Sequence, residues 1–134
     1  MKILILYNIA TEVRKGKIGD LLCEKEIETI LPLVVKSLVS RGHEVCSLMA
    51  DFDLWEKLRK CKHDLDIVLN LAEGFGGGNT NEATVPAILE ALGIPFTGAS
   101  TRNMLFTMDK EKTKLVLSSY GVPSPPHVLI RDMS

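Results

Sequence analysis

The sequence contains three short segments whose residue types could bind charged ligands. The first is Glu73–Asn81 (EGFGGGNTN), where four glycines in nine residues exclude a stable helix. A strand-like apolar run precedes this segment and a helical pattern follows it, so its backbone N–H groups could hold an anion. It lacks the G-x-G-x-x-G and G-K-[ST] patterns of nucleotide-binding loops. A surface connection that binds no ligand explains the glycines about equally well.

The second segment, Met108–Lys114 (MDKEKTK), places three lysines at the beginning of a predicted helix. A helix selected only for stability has Asp or Glu in its first turn, because the positive end of the helix dipole lies there. Lys110 could therefore bind a phosphate group at this helix end. The alternative is a solvated polar face on which the lysines bind no ligand.

The third segment, Cys23–Glu26 (CEKE), precedes an amphipathic helical pattern. Its carboxylates could stabilise the positive end of that helix, or Glu24 could bind an ammonium group. The three histidines and three cysteines show no spacing typical of a catalytic triad, a disulfide framework or a zinc site. We therefore predict no metal site and no complete catalytic group, and we expect the cysteines to be reduced.

The composition limits the class of protein. The chain has 134 residues, 46% of them hydrophobic and 25% charged, which is typical of one globular domain. Its formal net charge of −1 argues against a nucleic-acid-binding or membrane-surface protein, since both usually carry basic patches. No apolar segment has the length of a membrane-spanning helix or the pattern of a signal peptide. We therefore expect a cytoplasmic protein that binds neither nucleic acid nor membrane.

Short apolar runs alternate with helical patterns along the chain. The runs predict strands at Lys2–Tyr7, Glu44–Leu48, Asp66–Leu71 and Ile94–Thr97. Helical periodicity predicts helices that end near Gly42, Cys61, Gly93, Thr107 and Tyr120. This alternation predicts an α/β fold, a three-layer parallel sheet of about four strands with helices on both faces. Ligands bind such sheets at the carboxyl ends of the strands. We therefore expect the ligand-binding residues within residues 8–24, 49–53, 72–82 and 98–110.

Four motifs that occur in one order carry a resemblance to a known family. They are Cys23–Ile27 (CEKEI), Ile94–Ser100 (IPFTGAS), Met108–Lys110 followed by Thr113-Lys114, and Gly121–Pro125 (GVPSP). In these motifs the chain resembles the N-terminal domain of the D-alanine–D-alanine ligases and related members of the ATP-grasp superfamily. The resemblance implies a Rossmann-like pre-ATP-grasp domain in residues 1–122. Residues 123–134 would form a linker and the start of a missing ATP-grasp domain.

The resemblance also implies roles for individual residues. Glu24 matches the glutamate that helps to hold the amino group of the first D-alanine, and Lys110 matches the lysine that contacts ATP phosphates. The glycine-rich segment matches the substrate loop of the family. The resemblance therefore implies that the candidate substrate-binding residues here are Glu73, Gly74, Gly76 and Gly77. However, Glu73 stands where the family has histidine, and Asn81-Glu82 stands where it has Glu-Asp. The resemblance therefore does not extend to the identity of the amino-acid substrate.

The implied parent protein is an ATP-dependent carboxylate–amine ligase of the kind that makes cell-wall dipeptides through an acyl phosphate. It uses ATP and Mg²⁺, bound mostly by domains that follow this one, and it forms a homodimer through this domain. Phosphoryl transfer needs metal ions and several cationic groups together, so we expect the 134-residue chain alone to be inactive. The alternative, from a different class, is a free-standing Rossmann- or flavodoxin-like module that binds a small ligand or a protein.

Overall fold

Strands and helices alternate in the computed structural model, which describes residues 1–9, 26–76 and 81–130. In these three segments the elements are β1 (Lys2–Tyr7), α1 (Glu26–Ser40), β2 (Glu44–Met49), α2 (Leu54–Cys61), β3 (Ile67–Asn70), α3 (Thr84–Leu92), α4 (Thr101–Met108) and α5 (Lys110–Ser119). A short 3-10 turn at Lys62–Asp64 lies between α2 and β3.

The strands form a parallel sheet in the order β2-β1-β3. The register places Leu4 of β1 opposite Cys46 of β2 and Val68 of β3. The four consecutive apolar residues Ile3–Leu6 are all buried, although successive side chains point to opposite faces of a sheet. A central strand covered on both faces explains why this run is uniformly apolar.

The order of the strands also explains why helices cover both faces. The connection from β1 to β2 runs in one direction across the sheet, and the connection from β2 to β3 runs back in the other. Right-handed crossovers therefore place α1 and α2 on opposite faces. The main apolar core lies on the α2 face, where Leu6 of β1 and Val68 of β3 pack with Leu54 of α2 and Leu89 of α3. The predicted α/β class with a parallel sheet is confirmed.

The predicted number of strands is wrong, because the described residues contain three strands rather than four. Ile94–Thr97 forms a single bridge, in which Phe96 lies opposite Val68. The Val68 N–H donates to the Pro95 carbonyl at 2.8 Å, and the Thr97 N–H donates to the Val68 carbonyl at 2.9 Å. Pro95 has no N–H to extend this pairing, and Gly98 turns the chain away at φ +107°.

Residues 122–130 contain neither a helix nor a strand. Three prolines at positions 123, 125 and 126 remove three of the N–H donors that a strand would need. The apolar side chains of Val128 and Ile130 are largely exposed, at 87% and 68%.

The ends of the helices follow the sequence signals. Gly93 stops α3 in the left-handed conformation, with φ +68°. Asp109 caps α5, since its Oδ1 accepts from the Lys112 backbone N–H at 3.0 Å. Pro32 lies inside α1, which is continuous from Glu26 to Ser40.

Candidate functional site

The switch point of the sheet lies between the carboxyl ends of β1 and β3. These strands are neighbours, but the connections that leave them lead to opposite faces. In open α/β sheets the crevice formed in this way is where ligands bind. Asn8 follows β1 at this point, and the glycine-rich segment follows β3.

A hydrogen bond connects the two sides of the crevice. The side-chain Oδ1 of Asn8 accepts from the backbone N–H of Glu73 at 2.7 Å. Asn8 is only 6% exposed, and it is the one buried polar residue among those the structure describes. Asn70, the last residue of β3, accepts from the Ala72 N–H at 3.2 Å and thereby shapes the same turn. The beginning of the glycine-rich segment therefore has a defined conformation.

The segment next contacts the connection between β2 and α2. The N–H of Gly76 donates to the Ala50 carbonyl at 3.0 Å. Gly76 has φ +66°, a left-handed conformation that favours glycine. The ring of Phe52 lies so close that a Cβ atom at Gly76 would be 2.6 Å from Phe52 Cζ. Residues 73–76 are therefore held by β1 at one end and by the β2–α2 connection at the other.

Lys110 begins α5 and lines a different cavity, of about 530 Å³, with Leu105, Met108 and Leu129 among its neighbours. In the same turn, the Lys112 ammonium lies 2.8 Å from the Asp109 carboxylate. This hydrogen bond lowers the pKa of Asp109 and raises the pKa of Lys112. Within residues 1–9, 26–76 and 81–130, no ion pair involves Lys110. Its exposed ammonium therefore remains available for an external anion.

The structure brings together only part of the candidate set. Glu73, Gly74 and Gly76 lie at the switch point, where Gly74 is buried and the Glu73 side chain is exposed. The cavity beside Lys110 is lined by none of these three residues. Glu24 and Gly77 lie outside the described residues.

Three residues at this site, Asn8, Phe52 and Phe75, carry no sequence motif that marks them as site residues. Asn8 carries the clearest signal, because it is a polar residue directly after a buried apolar strand. Phe52 and Phe75 are isolated aromatic residues in two separate connections, and their ring centroids lie 5.6 Å apart with an interplanar angle of 86°. Such a pair can be found only when the order of the strands is known.

The described part of the chain shows no group of three or more His, Cys, Asp or Glu side chains that could hold a metal ion. It also contains no helix that is long and apolar enough to cross a membrane. Cys46 and Cys61 are both free. Burial, followed by the nearby Cys61 and Glu44, raises the pKa of the Cys46 thiol, which makes it a weak nucleophile at neutral pH.

The fold and the loops at its carboxyl edge define a Rossmann-like α/β domain. No protein-family model matches the sequence. The chain is 33% identical over 97 residues to D-alanine–D-alanine ligase of Pseudomonas entomophila, an alignment that covers 72% of this chain and 29% of that protein. It is 36% identical over 92 residues to the ligase of the same name from Aquifex aeolicus, covering 69% of this chain and 30% of that protein.

Solved structures give the same result for the fold. D-alanine–D-alanine ligase from Bacillus anthracis matches 94% of this chain with a TM-score of 0.58 at 21% identity, and 37% of that chain is covered. A structure of the B. anthracis enzyme complexed with ATP also gives a TM-score of 0.58, at 20% identity, with 100% of this chain and 42% of that chain covered. The chain spans about 30% of the length of the sequence relatives that it matches. In sequence and in fold the chain therefore matches an N-terminal fragment of D-alanine–D-alanine ligase.

Proposed function

We propose that this chain is the substrate-side domain of an ATP-dependent carboxylate–amine ligase. In the complete reaction a carboxylate oxygen takes the terminal phosphoryl group of ATP and ADP leaves. An amine nitrogen then attacks the acyl carbon, losing a proton as inorganic phosphate departs. The observation that carries the proposal is the similarity to D-alanine–D-alanine ligases over 72% and 75% of the chain for two relatives. The glycine-rich segment at the switch point supports it.

Each described candidate has a role that fits its surroundings. Lys110 would neutralise phosphate charge, which its exposed ammonium at a helix N-terminus favours. Glu73, Gly74 and Gly76 would lie beside the amino-acid substrate at the switch point. Glu24 would orient the ammonium group of that substrate. The ligands for Mg²⁺ and most contacts to ATP would come from domains outside this chain.

The domain boundaries and the inactivity of the isolated chain are parts of the same proposal. Residues 1–122 would form the folded domain, and residues 123–134 would lead into an ATP-grasp domain. The absence of helix and strand in residues 122–130 supports this boundary. Phosphoryl transfer requires metal ions and several cations positioned together, and the described residues offer Lys110 but no metal-binding cluster. From the family resemblance alone, the proposal also includes a cytoplasmic location and a homodimer.

Kinetics of the protein translated from the whole reading frame test the role of Lys110. The assay follows amino-acid-dependent ADP release for the wild type, Lys110→Ala and Lys112→Ala. A hydrogen bond to a charged group contributes about 1.5–3 kcal/mol, so Lys110→Ala should raise the KM for ATP by roughly 10-fold or more. Lys112→Ala is the matched control in the same helical turn, because its ammonium already pairs with Asp109. Wild-type kinetics in Lys110→Ala would contradict the assigned role.

Calorimetry of the 134-residue chain tests the proposal that most of the ATP-binding site lies in domains outside this chain. Titration with ATP should give no micromolar binding, since most of the nucleotide site lies elsewhere in the proposal. Micromolar affinity for ATP would instead favour a self-contained binding module.

A further inference from the structure

Phe52 occupies an unusual position for a large apolar side chain. It lies in the connection between β2 and α2, and it is 81% exposed. It is absent from the apolar core, which is built by residues of the sheet and of the helices α2 and α3. Its ring meets the ring of Phe75 edge-on, with centroids 5.6 Å apart. Burial in the core therefore does not explain why a phenylalanine stands here.

The contact between Phe52 and Gly76 gives this side chain a different role. Three ring atoms of Phe52 would lie 2.6, 3.0 and 3.1 Å from a Cβ atom at Gly76. The residue at position 76 must therefore be glycine for the ring to keep its place. The hydrogen bond from the Gly76 N–H to the carbonyl of Ala50, which lies in the same connection as Phe52, holds the same backbone.

The opposite end of residues 73–76 is held by Asn8. The ends of β1 and β3 and the β2–α2 connection thus fix residues 73–76 at the switch point. One of these four residues is the exposed Glu73. A loop held in its binding conformation loses less conformational freedom when a ligand binds, so its affinity is higher than that of a free loop. Removing one attachment should therefore weaken ligand binding without unfolding the domain.

We propose that Phe52 is a positioning residue for the amino-acid substrate, because its ring, with that of Phe75, holds residues 73–76 in the substrate-binding conformation. This inference rests on the proposed ligase function. The Lys110 cavity is lined by neither aromatic residue, so the loss of the ring should affect binding of the amino acid and not binding of ATP. Loss of an aromatic pair of this geometry should lower the affinity for the amino acid about 2- to 12-fold.

The test uses the protein translated from the whole reading frame, with ADP release measured at varied amino acid and at varied ATP. Phe52→Ala should raise the KM for the amino acid about 2- to 12-fold and leave the KM for ATP unchanged. Phe52→Tyr keeps the ring and should stay close to the wild type. Leu33→Ala is the surface control, because Leu33 is an exposed apolar residue of α1, 63% accessible and remote in sequence from the loop.

The outcomes separate the inference from the proposed function. If the wild type releases ADP on addition of amino acid and Phe52→Ala has the same KM values, the inference alone is wrong. An equal rise in both KM values would indicate a general structural effect and would also overturn it. If the wild type releases no ADP with any amino acid, the ligase proposal itself fails and the inference falls with it.

Discussion

Replacing Gly76 by alanine measures how firmly Phe52 is placed against the glycine-rich segment. The chain offers a matched control, because Gly93 has φ +68° and Gly76 has φ +66°. A Cβ atom at Gly93 would meet nothing within 4 Å, whereas at Gly76 it would meet the Phe52 ring. The two substitutions therefore share a left-handed φ and differ in the contact with the ring.

The expected difference follows from these two contributions. A non-glycine residue in the left-handed region costs about 1–2 kcal/mol, which applies to Gly76→Ala and Gly93→Ala alike. The effect of the added methyl group on the unfolded chain is also shared. At Gly76 the exposed ring can move aside, but it then leaves Phe75, a loss of about 0.5–1.5 kcal/mol. We expect Gly76→Ala to destabilise the chain by that amount more than Gly93→Ala does.

Urea unfolding of the 134-residue chain provides the assay, with midpoints compared at constant m-value. The double variants Phe52→Ala/Gly76→Ala and Phe52→Ala/Gly93→Ala complete the cycle. Without the ring, the excess cost at Gly76 should disappear, and both glycines should respond alike. An excess that persists in the Phe52→Ala background, or no excess in the wild-type background, would refute the role of this contact.

Three further substitutions test other parts of the structure by urea unfolding. Asn8→Ala leaves a loop N–H without its acceptor and should cost about 1–3 kcal/mol. Leu89→Ala removes a fully buried side chain and should cost about 2–5 kcal/mol, against at most about 0.5 kcal/mol for the exposed Leu105→Ala. Asp109→Ala removes a cap whose pKa is lowered by Lys112, so the ionised carboxylate stabilises the fold above its ordinary pKa. The stability gap between wild type and Asp109→Ala should therefore be present at pH 7 and should close as the pH falls through the lowered pKa, and a gap that stays constant to pH 2 would contradict this assignment.

Local patterns in the sequence predicted most of the fold because their causes are local. A uniformly apolar run made Lys2–Tyr7 a buried strand, and Gly93 ended a helix because glycine tolerates the left-handed conformation. Ile94–Thr97 has the same apolar character, but it pairs through one bridge only. Its pairing depends on Pro95 and on the turn at Gly98, which hydrophobic periodicity does not register.

The site was predictable only in part, because its contacts join residues that are far apart in the chain. The glycine-rich segment and Lys110 stand out by composition and by position on a helix. The attachment of that segment to Asn8, 65 residues earlier, depends on the strand order β2-β1-β3. The aromatic pair of Phe52 and Phe75 depends on the same order, since it joins the connections that follow two different strands. Periodicity predicts elements, and it does not predict which elements become neighbours.

The most direct test of the proposed function is amino-acid-dependent ADP release, measured side by side for the 134-residue chain and for the protein translated from the whole reading frame. The proposal predicts release by the longer protein when amino acids are added, and none by the 134-residue chain. Release by the chain alone, or none by either protein across the common D- and L-amino acids, would contradict it.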